Sequence, residues 1–246
     1  MRYAILSDIH ANREALDAVM ARLAALRIDR IVLLGDIVGY GADPAYCLER
    51  AQALLDDGAI GILGNHDAAV AGSSEDMNSA ARAAIDWTRR QLTDAHQAVL
   101  ARLVPAHREG DLLLVHASAR TPLAWTYILD AASAERSLRA TDAKLTIVGH
   151  VHVPSLWRLV SAGTATRHVP LTGQDIPLAA SQNWLGVMGA VGQPRDGSPA
   201  AAFGVLDTHT RTLTFERVAY DHYQAARKVR EAGLPMSLAE RLLHGR

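Results

Sequence analysis

Cysteine is almost missing from this chain: Cys47 is the single one in 246 residues. One thiol excludes an internal disulfide and any cluster of thiolate metal ligands, and it fits a reducing compartment. No apolar run approaches the ~20 residues of a membrane-spanning helix. The opening MRYAILSDIH is charged too early for a secretion signal. The expectation is a soluble, cytoplasmic protein. Excess charge is missing too. The formal net charge is -1, so no global basic field recruits nucleic acid or an anionic membrane, although a local basic patch stays open. Aromatic residues are scarce at 5%. Apolar residues nevertheless make up 49% of the chain, enough for one full core that buries about 70–75% of the unfolded surface. We expect a single domain over residues 1–246, with helices in 221–246 packed on it or appended to it.

The first quarter reads β-α-β-α-β. Tyr3 to Ser7, Ile31 to Leu34 and Ile60 to Leu63 are short apolar runs. Such runs suit parallel strands covered on both faces. Between them, Leu16, Val19, Met20, Leu23 and Leu26 recur at helical spacing behind a capping Asn12. Asp43-Pro44 opens a second helix whose stripe is Leu48, Ala51, Leu54 and Leu55. Residues 73–101 read as helix broken near Thr93. Strands follow at Leu112 to Val115 and Leu145 to Val148. Leu156 to Val160, Ala201 to Asp207 and Arg211 to Val218 suggest a second, more antiparallel sheet with a hairpin turn at DTHT. A helix over 221–232 and a capping box from Ser237 to Glu240 close the chain. His168 to Leu178 reads as loop or edge.

Five of these strands end in polar residues of a narrow kind: Asp8 with His10, Asp36, Asn65 with His66 and Asp67, His116, and His150 with His152. In open α/β sheets ligands bind beyond the carboxyl ends of strands. A core has no use for so many ionisable groups, because unpaired buried charge is costly. Imidazole, carboxylate and amide oxygen without thiolate suit manganese, iron, zinc or a mixed pair. Six or seven ligands exceed one tetrahedral zinc and fit two metals sharing a carboxylate, ~3.5–4 Å apart. If the chain is extended there, Asp8 and His10, and likewise His150 and His152, point to one side. The remaining histidines, His96, His107, His168, His209, His222 and His244, sit in helices, turns or tails and carry no such argument.

The blocks SDIHAN, GDIVGYG, GNHD, VHAS and GHVH, in this order over residues 7–152, resemble the calcineurin-like metallophosphoesterase superfamily. VGQPRDGSPAAAFGVLD, Val191 to Asp207, resembles its bacterial YfcE-like and diadenosine-tetraphosphatase-like members. The resemblance implies a four-layer α/β/β/α sandwich of mixed sheets flanked by helices. It also implies two divalent ions, manganese foremost, with iron, zinc, nickel, cobalt or magnesium as alternatives. Asp8, His10, Asp36 and His152 would hold the first ion. Asp36, Asn65, His116 and His150 would hold the second, with Asp36 bridging. His66 would be a general acid that binds no metal, and Asp67 would orient it.

Three residues are candidate substrate contacts. Asn12 either touches phosphate or only caps its helix; the family glycine before it is Ala11 here. Tyr40 either stacks on a base or is structural. Arg195 either meets an anionic substrate or pairs with Asp196. Gly35, Gly39 and Gly64 either permit tight turns and close approach around Asp36 or only end strands. Relatives often carry NPGSVGQPR, where this chain has Val187-Met188-Gly189-Ala190 before Val191. The phosphate-clamping arginines of the protein Ser/Thr phosphatases, in GDxVDRG and after GNHE, are replaced by Tyr40 and Ala68, which weakens that reading.

The expected function is hydrolysis of a small phosphate ester by metal-activated water, with a nucleotide or a dinucleoside polyphosphate as the leading substrate class. A generic phosphodiesterase, a Ser/Thr protein phosphatase and a non-catalytic scaffold are the alternatives, the last opposed by the intact ligand set. The partner is a small phosphorylated molecule. No feature supports a membrane role, and a nuclease requires a channel of Arg and Lys. Oligomeric state is left open, as is the question of a lid in residues 161–185.

Overall fold

The structure is a computed structural model describing residues 1–160 and 163–246. Its first half builds the helix-covered rim. β1 (Arg2–Leu6), α1 (Arg13–Ala24), β2 (Arg30–Leu33), α2 (Pro44–Asp56) and β3 (Ile60–Gly61) are followed by α3 (Asn65–Ala71), α4 (Ser79–Gln91) and α5 (Asp94–Leu100). Then come β4 (Ala106–Glu109), β5 (Leu112–Val115), α6 (Ala131–Leu138), β6 (Leu145–His152), β7 (Ser155–Leu159), β8 (Ala165–His168), β9 (Asp175–Pro177), β10 (Trp184–Gly189), β11 (Ala201–Asp207), β12 (Thr212–Val218), α7 (His222–Glu231) and α8 (Met236–His244).

Two six-stranded mixed sheets form, in the orders β3-β2-β1-β11-β12-β9 and β4-β5-β6-β10-β7-β8. β1, β2 and β3 run parallel, as do β5, β6 and β10, while β11 and β7 pair antiparallel with the parallel blocks. Along β1 the side chains alternate. Tyr3 and Ile5 join Leu114, Ile147 and Met188 between the sheets, whereas Ala4 and Leu6 meet Leu16, Val19 and Leu48 of the covering helices. That two-faced burial is why Tyr3 to Leu6 are all apolar. On the far side, Val115, Val148, Trp157 and Leu185 pack under Ala134 and Leu138 of α6. The order from one face to the other is helix, sheet, sheet, helix, the architecture implied by the resemblance.

Some elements differ from the sequence expectation. β3 stops at Gly61 because Ile62 makes an isolated bridge to Val104, after which the chain enters α3. Asn65, His66 and Asp67 therefore sit in the first turn of a helix. Ser237 lies inside α8, which starts at Met236 behind Pro235, so the Ser237–Glu240 box does not form the cap. Asp43 precedes α2 without a capping hydrogen bond, and its carboxylate accepts from Lys228 instead. Within the 161–185 segment, residues 163–185 supply the edge strands β8 and β9 and the start of β10. Ser161 and Ala162 fall outside the described residues. The C-terminal pair α7 and α8 packs its alanines and leucines against Tyr40, Ala81 and Ala84.

Candidate metal centre

The carboxyl ends of β1, β2, β5 and β6, with the first turn of α3, deliver seven side chains to one space. Asp8, His10, Asp36, His116 and His152 are buried. His150 is buried as well, and the Oδ1 of the half-buried Asn65 is also shut off from solvent. Backbone geometry here departs from the extended run expected of the Asp-x-His and His-x-His pairs. Asp8, His10, Asp36, His150 and His152 all have left-handed φ, between 50° and 65°. Such conformations cost non-glycine residues about 1–2 kcal/mol each and concentrate at functional sites. These conformations, rather than extended alternation, set the directions of the ligand side chains. Gly64 keeps an extended φ, but a Cβ there would lie 2.2 Å from the Asp36 amide nitrogen and from its Oδ1. Its requirement is close approach rather than a turn. Gly39 has both constraints: φ is +87°, and a Cβ would lie 2.4 Å from His66 Nδ1.

Each imidazole is fixed by a carbonyl. Nδ1–H donates to Val38 from His10 (3.2 Å), to Leu34 from His116 (2.8 Å) and to Gln193 from His152 (2.6 Å). A carbonyl only accepts, so these nitrogens carry the hydrogens and Nε2 of each ring faces the centre. His150 is reversed: its Nε2–H donates to the Trp125 carbonyl at 3.0 Å, which leaves Nδ1 as its free nitrogen. His10 Nε2 and His152 Nε2 end 3.1 Å apart, with Asp8 Oδ1 3.1 Å from the latter. Two imidazole lone pairs at that distance repel unless a cation lies among them. Asp36 Oδ2 is 3.7 Å from His10 Nε2 and 3.3 Å from His116 Nε2, so one carboxylate serves both sides. Its Oδ1 accepts from the His66 amide at 2.8 Å. Asp8 Oδ1, Asn65 Oδ1 and His116 Nε2 are buried with no hydrogen-bond partner, an arrangement that is expensive without a ligand.

Two ligand groups emerge, Asp8 with His10 and His152, and Asp36 with His116 and His150; a third, overlapping group joins His10, Asp36 and His66. These are two candidate divalent-metal sites meeting at Asp36, and the donors fit such ions. The electrostatics agree. Burial raises the carboxyls of Asp8 and Asp36, but the surrounding imidazoles outweigh it and hold both below the usual range. Burial opposes a charge on His116, yet Asp36 and Asp8 bring it up to about 10. Burial lowers His10, and lowers His150 to about 3 with His116 adding to it.

The flanking residues correct several expectations. Asp67 does not hold His66. Its carboxylate accepts from the amides of Ile37 (2.9 Å), Val38 (3.2 Å) and Gly64 (3.2 Å), so it ties the Asp36 loop to α3. Burial and the neighbouring Asp36 carry its carboxyl up to about 7. His66 Nδ1 has no partner, and its ring packs on Tyr40 and His10 at centroid distances of 4.3 and 4.9 Å. Burial lowers it to about 4. The Asn12 amide is spent on the fold: Oδ1 accepts from Ala15, and Nδ2 donates to the Gly192 carbonyl and the Tyr220 hydroxyl. Asp196 pairs with Arg217, not with Arg195. Arg195 donates to Gln193 Oε1 and lies over Tyr40.

A cavity of about 550 Å³ opens beside the centre, lined by Tyr40, Asn65, His66, Met77, Trp125 and Tyr127 among others. Trp125 and Tyr127 were not anticipated. Tyr127 stacks on His150 at 3.9 Å and 19°. The signal was available in the segment TPLAWTYIL, which gathers aromatic and apolar residues without strand or helix periodicity. Leu123, Tyr127 and Leu129 are all exposed. A second cavity of about 230 Å³, lined by Tyr3, Glu109 and Leu145, is formed by other residues and holds none of the ligands.

A family model described as the calcineurin-like phosphoesterase superfamily domain matches residues 1–211. The chain belongs to that superfamily. The protein is 32% identical to the uncharacterized protein MJ0912 of Methanocaldococcus jannaschii, over 99% of this chain and 98% of that one. It is 40% identical to a metallophosphoesterase from Sphaerobacter thermophilus whose crystal structure superposes with a TM-score of 0.89, covering 100% and 99% of the two chains. The hypothetical protein PH1004 from Pyrococcus horikoshii OT3 shares the fold at 19% identity, with a TM-score of 0.82 and coverage of 100% and 98%. Superfamily membership and the clustered ligands make this calcineurin-like protein a metal-dependent phosphohydrolase. Among the described residues no helix is long and apolar enough to cross a membrane.

Proposed function

We propose that the protein hydrolyses a small phosphate ester, with a nucleotide or dinucleoside polyphosphate as the substrate class and manganese as the resident ion. The observation that carries this reading is the inward ring of ligand atoms: the facing His10 and His152 nitrogens, the unpartnered Asp8 Oδ1, Asn65 Oδ1 and His116 Nε2, and the shared Asp36. Asp8, His10, Asp36 and His152 would hold one ion, and Asp36, Asn65, His116 and His150 the other. Bound divalent ions neutralise the ester's charge and lower the pKa of water, which is the chemistry a phosphate ester demands.

The chain's own groups do the rest. His66 stands at the cavity wall as the proton donor to the leaving oxygen. Burial lowers that imidazole, and an anion arriving beside it favours its protonated form. Asp67 acts on His66 indirectly, by clamping the loop that carries Gly39 against it. Tyr40, Trp125 and Tyr127 give the organic group an aromatic wall, in keeping with a base. Arg195 is the anion contact, its charge already felt at His66 and Tyr127.

A panel of monoesters, diesters and dinucleoside polyphosphates, each offered with Mn, Fe, Co, Ni, Zn and Mg, tests the reading. Metal-dependent release of phosphate or nucleotide is expected. A fully loaded protein inert toward the whole panel would defeat it.

A further inference from the structure

Two arginines from distant parts of the chain approach the tyrosine beside the candidate metal centre. Arg195 has its guanidinium carbon 5.7 Å from the Tyr40 ring centroid, and Arg241 of α8 has its own at 5.9 Å. Tyr40 in turn touches His10 and His66, at 4.5 and 4.3 Å between ring centroids. One buried tyrosine therefore separates the catalytic histidine from two cations. The residues of α8 lie beyond the stretch matched by the family model.

The pairing is built rather than incidental. Leu238, Ala239 and Leu242 are buried in the cluster that contains Tyr40 and fix the rotation of α8. The end of that helix is tied to the loop bearing Arg195, because the Gly197 amide donates to the Gly245 carbonyl at 2.8 Å. Gly245, at φ +63°, presses so close that a Cβ would lie 2.5 Å from Ser198 backbone. The acidic neighbours are engaged with other partners: Asp196 with Arg217, and Glu240 with Arg230 and His244. Among the described residues no carboxylate reaches ion-pair distance of Arg195 or Arg241. Arg195 spends donors on Gln193 Oε1, and Arg241 has no side-chain hydrogen bond there. Both lie near the ~6 Å limit of cation–π contact, so the ring offsets little of their charge. Divalent ions bound to Asp8 and Asp36 would cancel the remaining negative charge nearby. Two guanidiniums held 5.7 and 5.9 Å from the centroid of one tyrosine ring, with no carboxylate partner among the described residues, call for an anion from outside.

We infer that Arg195 and Arg241 form a subsite for a second phosphoryl group, beyond the one being hydrolysed. The substrate is then an ester carrying more than one phosphate. Arg241 is a specificity-determining residue supplied by the C-terminal helix. The identity of the scissile ester rests on the proposed function; the anion site does not.

Calorimetric titration of the metal-loaded protein with inorganic pyrophosphate and with inorganic phosphate reads the subsite apart from ester hydrolysis, with phosphate release followed so that only uncleaved pyrophosphate is scored. Arg241→Ala should weaken pyrophosphate about tenfold and phosphate about twofold, because only the longer anion reaches both guanidiniums. Arg241→Lys, which keeps charge but loses the planar fork, should fall between. Thermal unfolding of each variant checks that α8 stays docked, and Arg241→Lys carries the test if alanine loosens it. The kcat/KM ratio of a dinucleoside polyphosphate to a monoanionic aryl diester should fall about tenfold in Arg241→Ala. Equal weakening of both anions, or none, overturns the subsite. A protein that shows the pyrophosphate difference but hydrolyses no ester sinks the proposed function and leaves the subsite standing. One that hydrolyses esters with an unchanged ratio does the reverse.

Discussion

Gly39→Ala perturbs His66, the proposed proton donor, without substituting a metal ligand or His66 itself. The new Cβ would fall 2.4 Å from His66 Nδ1, 2.9 Å from Cγ and 3.1 Å from Cβ. Contact with Cγ and Cβ means that a rotation of the ring cannot clear it. The backbone at φ +87° adds strain for any L-residue. His66 has little room to retreat, since its amide is held by Asp36 and its ring packs on both Tyr40 and His10. Left-handed strain of ~1–2 kcal/mol and overpacking of ~1–3 kcal/mol predict a loss of roughly 2–5 kcal/mol. A domain toward the upper part of the ~5–15 kcal/mol range keeps its fold after that loss, which the unfolding measurement checks. Displacing a general acid costs about 10²–10⁴ in rate where the leaving group needs a proton. The assay is turnover of a series of esters of falling leaving-group acidity, alongside denaturant unfolding and metal analysis. Nitrophenolate release should fall about tenfold or less, alkoxide release at least about 100-fold, and metal content should hold. Unchanged alkoxide release from a destabilised variant would refute both the placement and the role of His66.

Other outcomes follow from the same geometry. His66→Ala should keep its metal content, whereas Asp36→Asn should lose at least one ion, as read by elemental analysis. His116, raised to about 10 beside Asp36, is protonated in the metal-free protein at neutral pH and must shed that proton to ligate. Metal titration in buffers of different ionisation heat should therefore report release of roughly one proton. In the metal-free protein, His66 and His150 are lowered from 6.5 to about 4 and about 3. Below pH 6.5 the unfolded chain binds protons that the folded one refuses, so stability should fall from pH 6.5 toward 4. His116 slopes the other way, its contribution present below pH 6.5 and lost as pH rises through about 10. Thermal unfolding of chelated protein from pH 4.5 to 9 should show this maximum, and His66→Ala should flatten its acid side. Tyr127→Ala should raise KM for aryl or nucleoside esters up to about tenfold, for ~0.5–1.5 kcal/mol of lost stacking, and change alkyl esters less.

The ligand set was readable because strand ends in parallel sheets converge, and because apolar runs such as Ile5-Leu6 and Leu33-Leu34 mark those ends sharply. The orientation of the ligands was not. Alternation in an extended chain would have aimed Asp8 and His10 together, but left-handed φ at both does so instead. Asp67 was legible as a site residue and not in its contacts, since which amides a carboxylate meets depends on how two distant loops stack. β10 escaped notice because Gly186 and Gly189 dilute its apolar pattern, although it lies centrally in the second sheet. Trp125 and Arg241 lie in segments without a motif, one in a loop and one in a terminal helix. Their meeting with His150 and Tyr40 is tertiary, beyond any local signal.

Anomalous diffraction from crystals of the manganese-loaded protein most directly tests the shared centre. Two peaks ~3.5–4 Å apart are expected, with Asp36 within bonding distance of both, Asp8, His10 and His152 on one ion, and Asn65, His116 and His150 on the other. A single ion, or a pair to which Asp36 does not bridge, would contradict it.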